Sequence, residues 1–318
     1  LQGKVFTEED SFVIAGGKRR YYEVTYFPYR TRGKEVTHAV GVTNDITARK
    51  EAELALKNSE QQLRELNEQK DQYLSIIDSD LDKASKYVNS LLPDEIDHPH
   101  LKIHWKIVPS AKLGGDSFGY HWIDNEHLAL YMLDVTGHGV GAALHSVSAL
   151  NMLKYETLVD TDFTLPHEVL HGLNQVFQMS AHNSLFITMW YVVYNKTSRV
   201  LRYAGAGHPP LIIIDSKGIP EIISSENTVI GVDERIEFLS GCYTIEGKTE
   251  VYLYTDGAYE AELPDGKMLK VDDLVNFLLK HRNSSAQEIE LLYNSLMEMN
   301  EGQILEDDFT IMKIEYDE

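Results

Sequence analysis

Four stretches of the chain bring aspartate to the end of an apolar run: "LGGDSF" at Asp116, "LDVTGHGVG" at Asp134, "VYLYTDGAYEAE" at Asp256 and "EDDFTIMKIEY" at Asp307 and Asp308. Taken singly, each reads as an ordinary turn, because Asp and Gly are the residues turns use most. Four together suggest chemistry. Apolar strands that stop at aspartate can gather carboxylates from distant sequence at one sheet edge, where their mutual repulsion calls for cations. Oxygen-only ligands select Mg²⁺ or Mn²⁺ over zinc. Two such ions about 4 Å apart lower the pKa of a bridging water and clamp the oxygens of a phosphate during in-line attack. Gly137, Gly139 and Gly141 beside Asp134 would let backbone and substrate approach closely. The chemistry implied is hydrolysis of a phosphate ester by metal-activated water, with no covalent enzyme intermediate.

Composition narrows the partners. Among 318 residues, 50 Asp and Glu against 29 Lys and Arg give a formal charge of −21, which repels a phosphate backbone and gives no reason to expect nucleic-acid binding. The only cysteine, Cys242, cannot form an intramolecular disulfide and reads as a packing residue. No apolar run approaches the roughly 18 residues of a membrane span, and no charged-then-apolar leader opens the chain, so the expected location is the cytoplasm. The chain opens at Leu1 in strand-like sequence, which suggests a piece of a larger protein.

Three segments must position the acids. In residues 1–47, "RRYYEVTYFPYR" and "EVTHAVGVTNDIT" read as adjacent antiparallel strands. Their end, "DITARKEAE", resembles the D-I-T-x-R-K-x-A-E close of a PAS sensor domain, whose ligand pocket would lie mostly upstream. Residues 48–92 are rich in Glu, Lys, Gln and Leu, lack Gly and Pro, and stop at Pro93, which predicts one long helix or two in series. Leu56, Leu63, Ile77, Ala84 and Leu91 share a heptad position with Lys70, and Leu66, Tyr73 and Tyr87 follow members of that set by three residues. A dimeric coiled coil is the natural reading; Ser59, Lys70 and Asp80 on the seam leave open a helix packed on its own domain. Tyr87, Val88, Leu91 and Leu92 form an apolar stripe expected to pack on the domain that begins after Pro93, so this helix, with Leu63 in its seam, is the expected regulatory element. "KDQYLSIIDSDL" resembles the start of a histidine kinase dimerisation helix, but Ser79 stands where a phospho-acceptor His would be.

Residues 93–318 alternate strands and helices in blocks. "LKIHWKIVPS" sends Ile103, Trp105 and Ile107 to one side, and "GYHWIDNEHLALYMLDV" reads as a hairpin turning at Asp124 and Asn125. Helices are expected at 140–158, 166–181, 271–281 and 285–300, with strands from Leu185 to Thr255 and a last strand in "DFTIMKIEY". Without strict βαβ alternation this is an α+β pattern of packed antiparallel sheets flanked by helices.

"LGGDSF" is one letter from the GGDEF signature of diguanylate cyclases, but Ser117 replaces the second metal-holding acid and no D-x-L-T-G-L-type motif precedes it. Another resemblance covers residues 100–316. "GGDSFG", "DVTGHGVGAAL", "AGAGHPP", "YTDGAYEA" and "DDFTIMKI" appear in the order of the metal-dependent PPM (type 2C) protein phosphatases of the bacterial SpoIIE-like branch. That resemblance implies an αββα sandwich, a binuclear Mn²⁺ or Mg²⁺ centre, and phosphoserine or phosphothreonine substrates. By match, Asp116, Asp134, Asp256 and Asp307 would be metal ligands, directly or through water, with the Val135 carbonyl adding an oxygen. Asp308 stands where many relatives carry Asn and takes a supporting role. Thr136 fills the place of the eukaryotic candidate general acid; His138, two residues on, is either a proton donor or a hydrogen-bonding group at the turn. Ala111 replaces the eukaryotic phosphate-binding Arg, Lys112 beside it reads as surface charge, and His208 as the cap of a rigid turn. No substrate-binding residue is assigned. The usual substrates of this branch are phosphorylated STAS-domain antagonists of anti-sigma factors. Two alternatives stand beside it: a scaffold with a decayed phosphatase fold, against which all four acids persist, and a GHKL-type ATPase, whose D-x-G-x-G box "DVTGHG" exceeds by one residue.

Overall fold

The computed structural model describes residues 4–30, 36–137, 139–180, 185–260, 268–282, 287–300, 305 and 307–317. Two compact units divide the chain, Leu1–Ser79 and Asp80–Glu318.

In the first unit, β1 (Phe6–Val13), β2 (Arg19–Arg30) and β3 (Val36–Asp45) form an antiparallel sheet in that order. The strand β1 escapes a sequence reading because "FTEEDSFV" has no clean alternation; it is held by cross-strand ring pairs, Phe6 with Tyr26 and Phe12 with Tyr22. The sheet runs into α1 (Thr47–Asn89), whose entry is fixed by Thr47 N–H donating to Asp45 Oδ1 at 2.9 Å and by Arg49 and Lys50 pairing with Glu9. No described residue of α1 is fully buried, and Leu56, Leu63, Leu66, Tyr73 and Ile77 are all exposed.

The last turns of α1 belong to the second unit, where the apolar stripe divides. Leu91 packs under the cluster that backs one sheet, Leu92 reaches the core between the sheets, and Val88 is half-buried. Tyr87 does not join them: it is 61 % exposed, because it continues the outward heptad stripe. The helix closes at Asn89, three residues short of the expected Leu92, and a turn carries Leu91 and Leu92 inward.

Beyond Pro93 come β4 (Ile96–His98), β5 (Leu101–Val108), β6 (Ser117–Trp122), β7 (His127–Val135), α2 (Val140–Lys154), α3 (Pro166–Val176), β8 (Ile187–Asn195), β9 (Val200–Ala206), β10 (Leu211–Ile214), β11 (Pro220–Ile223), β12 (Gly241–Thr244), β13 (Thr249–Tyr254), α4 (Val271–His281), α5 (Gln287–Met299) and β14 (Phe309–Tyr316). One sheet runs β11-β10-β13-β14-β5-β4 and the other β12-β9-β8-β7-β6, with every neighbouring pair antiparallel. Strand alternation sets the layers. On β7, Leu128, Leu130 and Met132 face the other sheet, meeting Leu253 and Met312, while Ala129, Tyr131 and Leu133 face Leu150, Leu170 and Leu173 of α2 and α3. On β13 and β14, Tyr252, Tyr254 and Ile311 turn outward to Leu274, Leu278, Ile289 and Leu292 of α4 and α5. The result is an αββα sandwich, as the motifs imply. Cys242 corrects a sequence reading: it is exposed, because β12 is an edge strand.

Lys313 breaks the apolar rule on the outer face of β14. It is fully buried, 2.7 Å from Glu288 of α5, 3.3 Å from Glu250 of β13 and 3.2 Å from Glu315, while Arg282 pairs with Glu250 at 2.6 Å. Burial alone would lower the ammonium's pKa; the hydrogen bond to Glu288 and the surrounding carboxylates hold it above its usual value. Burial pushes Glu288 up, with Lys313 opposing.

Candidate metal centre

The alternation that builds the core also aims the acids. Asp134 shares the inward parity of Leu130 and Met132, Thr255 that of Val251 and Leu253, and Thr310 that of Met312 and Ile314. Asp116 immediately precedes β6, Asp256 opens a 3-10 turn (Asp256–Ala258) after β13, and Asp307 and Asp308 precede β14. All five acids therefore gather at one end of the cleft between the sheets, and their charges act on one another.

Burial first, and then the charges of Asp256, Asp307 and Asp308, push the Asp134 carboxyl up to about 7. Asp256 is raised to about 6 by burial, Asp307 and Glu260. Asp116 is driven well above the carboxylate range by burial and Asp134, against the hydrogen bonds it accepts from Thr310 and Thr255. Among the described residues no three carboxylate, imidazole or thiol groups converge on one ion-sized point. The donor set is nonetheless all oxygen, and its uncompensated repulsion at a common edge is what hard divalent cations relieve. The residues fit Mg²⁺ or Mn²⁺ in kind.

Asp308 has a different task. Its Oδ1 accepts from Ser110 N–H at 2.8 Å and Ser110 Oγ at 2.9 Å; its Oδ2 accepts from Gly115 N–H at 2.8 Å and Asp116 N–H at 3.4 Å. It is an anchor for the loop that carries Asp116. The two glycines of "LGGDSF" are explained here. A Cβ on Gly114 would lie 2.1 Å from Asp308 Oδ2, and one on Gly115 would lie 2.4 Å from the Val135 carbonyl oxygen, so only glycine lets the loop reach the end of β7.

The surrounding groups also have defined partners. Thr136 donates its hydroxyl to Phe186 O at 3.1 Å, which occupies it at the turn. His208 is buried, its Nδ1 lies 2.9 Å from Thr188 Oγ1 on the residue paired with Asp134, and burial lowers its pKa to about 3, so it is neutral. His138 lies outside the described residues. Lys112 ties the site loop to α1 through Asp82 at 2.6 Å. Sequence reasoning passed over Ser110, Thr255, Thr310 and this Lys112 contact, since none breaks a local pattern. A cavity of about 800 Å³, walled by Leu158, His171 and Phe238, holds none of these five aspartates.

Residues 124–317 match the family described as Stage II sporulation protein E (SpoIIE). The chain belongs to the SpoIIE family. It is 31% identical over 242 residues to Phosphoserine phosphatase RsbU of Bacillus subtilis (strain 168), covering 74% of this chain and 70% of that one. Phosphoserine phosphatase RsbP of the same organism is 28% identical over 184 residues, 57% of this chain and 45% of that one. The fold superposes on the SiaA-PP2C domain of Pseudomonas aeruginosa with a TM-score of 0.64 at 22% identity, over 76% of this chain and 98% of that one. This SpoIIE-family chain thus has a PP2C-type phosphatase fold, and the acids lie at the open end of its sandwich.

Proposed function

We propose that this phosphatase hydrolyses phosphoserine or phosphothreonine on a partner protein, with Asp116, Asp134, Asp256, Asp307 and the Val135 carbonyl holding two divalent cations, Mn²⁺ or Mg²⁺. The observation that carries this reading is the convergence of acids from four separate strand ends, where burial and then the neighbouring carboxylates raise Asp116, Asp134 and Asp256. When bound, a divalent pair polarises the phosphate and activates water. Asp116, Asp134 and Asp256, all raised above the usual carboxylate range, would gain from such charges, and Asp308 keeps Asp116 in reach by holding its loop. Asp307 is exposed, which leaves the site open at an edge where a folded partner can present its phosphoryl group.

The partner we propose is a phosphorylated STAS-domain antagonist of an anti-sigma factor, so that dephosphorylation would free a sigma factor in the cytoplasm. Among the described residues no helix is long and apolar enough to cross a membrane. Similarity to two relatives named phosphoserine phosphatase supports the choice of residue. Rates on the phosphorylated STAS protein should exceed those on a free phosphopeptide of the same sequence by at least about tenfold; equal rates would argue against recognition by docking.

Control is assigned to the helical segment 48–92, between the PAS-like residues 1–47 and the phosphatase domain 93–318. Val88 and Leu92 wall a small cavity with Leu113 and Asp116, and Asp82 holds Lys112, so the end of α1 touches the loop that positions a proposed ligand. The exposed stripe through Leu63 suits a homodimer. Repacking of such a helix can bias a two-state element beside the site. Leu63→Asp should weaken dimerisation and change the phosphatase rate together, whereas Glu65→Lys, off the seam, should do neither. A monomeric Leu63→Asp with parental rate and metal affinity would reduce the helix to a tether.

A further inference from the structure

We infer that Thr255 and Thr310 are positioning residues of the metal centre: their hydroxyls commit one carboxylate oxygen of Asp116 to the protein and present the other to the cations. This inference rests on the metal-dependent reading above.

The two threonines come from neighbouring strands. Thr255 follows β13 and Thr310 is the second residue of β14; both are fully buried and both carry the inward parity of their strands. Thr255 Oγ1 donates to Asp116 Oδ2 at 2.7 Å and Thr310 Oγ1 donates to the same oxygen at 2.5 Å. One carboxylate oxygen offers two lone-pair sites, so two donors saturate it. All the side-chain hydrogen bonds of Asp116 among the described residues go to Oδ2, and none to Oδ1.

The direction of the Thr255 hydroxyl is itself determined. Its oxygen accepts from Thr310 N–H at 3.2 Å, while its other acceptors, Asp308 O at 3.3 Å and Thr310 O at 3.5 Å, are farther than Asp116 Oδ2. The proton therefore points at Asp116. Thr255 N–H also donates to Thr310 O at 3.0 Å, which locks the two residues into one unit. Asp116 is thereby oriented before any cation arrives, and the entropy of fixing its rotamers is spent in folding. A valine at either position keeps the shape and removes the hydroxyl.

Partners that orient a metal ligand typically contribute about 10–100-fold to metal affinity. Calorimetric titration of the full chain with Mn²⁺ should show Thr310→Val binding at least about tenfold more weakly than the parent, with Thr310→Ser close to the parent because it retains the hydroxyl. Thr255→Val is the parallel variant should Thr310→Val fail to fold by circular dichroism. A folded valine variant with parental Mn²⁺ affinity overturns the inference, and so does a serine variant as weak as valine, since the methyl group would then be what matters. A parent that takes up no Mn²⁺ overturns the metal-centre reading and the inference with it.

Discussion

Asp134→Ala or Asp256→Ala should lower phosphate release by on the order of 10³-fold or more at saturating Mn²⁺, while the metal-free protein stays folded. The two halves of this expectation share a cause. These carboxylates are clustered, half-buried and repelled by neighbouring acids, so removing one deletes a proposed ligand and relieves an electrostatic penalty. The penalty depends on pH. Asp134 titrates at about 7 in the folded chain, well above an unfolded aspartate at about 3.9. Between those values the folded state holds a proton that the unfolded state has released, so metal-free stability falls as pH rises through about 4 to 7. Thermal unfolding in EDTA should show Asp134→Ala gaining on the parent from about pH 4 to 7, and Mn²⁺ should close the gap by stabilising only the parent. Parental turnover in either variant would remove these aspartates from the site.

Lys313→Ala should destabilise the phosphatase unit by about 3–5 kcal/mol, because it strands the fully buried Glu288 without its cation and leaves Glu250 with Arg282 alone. For a unit of this size, a melting temperature lower by roughly 10 °C is expected. Lys313→Met with Glu288→Leu should recover much of the loss, since an apolar replacement of a buried pair is often neutral or better. Calorimetric melts of the three proteins check this; a Lys313→Ala melt within about 2 °C of the parent would show that water reaches the cluster.

The same two sites show how much of the molecule was legible in its sequence. Period-2 runs such as "LKIHWKIV" and the hairpin through Asp124 announced their strands, and the blocks of strands and helices announced the α+β sandwich, because burial on alternating faces is written directly into residue order. The acids announced themselves as strand ends. Their supports did not. A lysine inside "TIMKIEY" reads as solvent-facing until β13 and α5 are seen to close over it. A threonine in a strand is ordinary until the cross-sheet distance to Asp116 is measured. Tyr87 followed the heptad outward, and only packing reveals which side of a helix its own domain takes. Asp308 was marked by a motif, but its work as a loop anchor depends on Ser110 and Gly115, nearly two hundred residues away in sequence.

The most direct test of the central claim is phosphate release from p-nitrophenyl phosphate by the intact chain, in Mn²⁺, after EDTA, and after Mn²⁺ is returned. Hydrolysis that appears with Mn²⁺, vanishes with EDTA and returns with the metal is the predicted result. Hydrolysis that survives EDTA, or none in Mn²⁺ or Mg²⁺ from a folded chain, would contradict it.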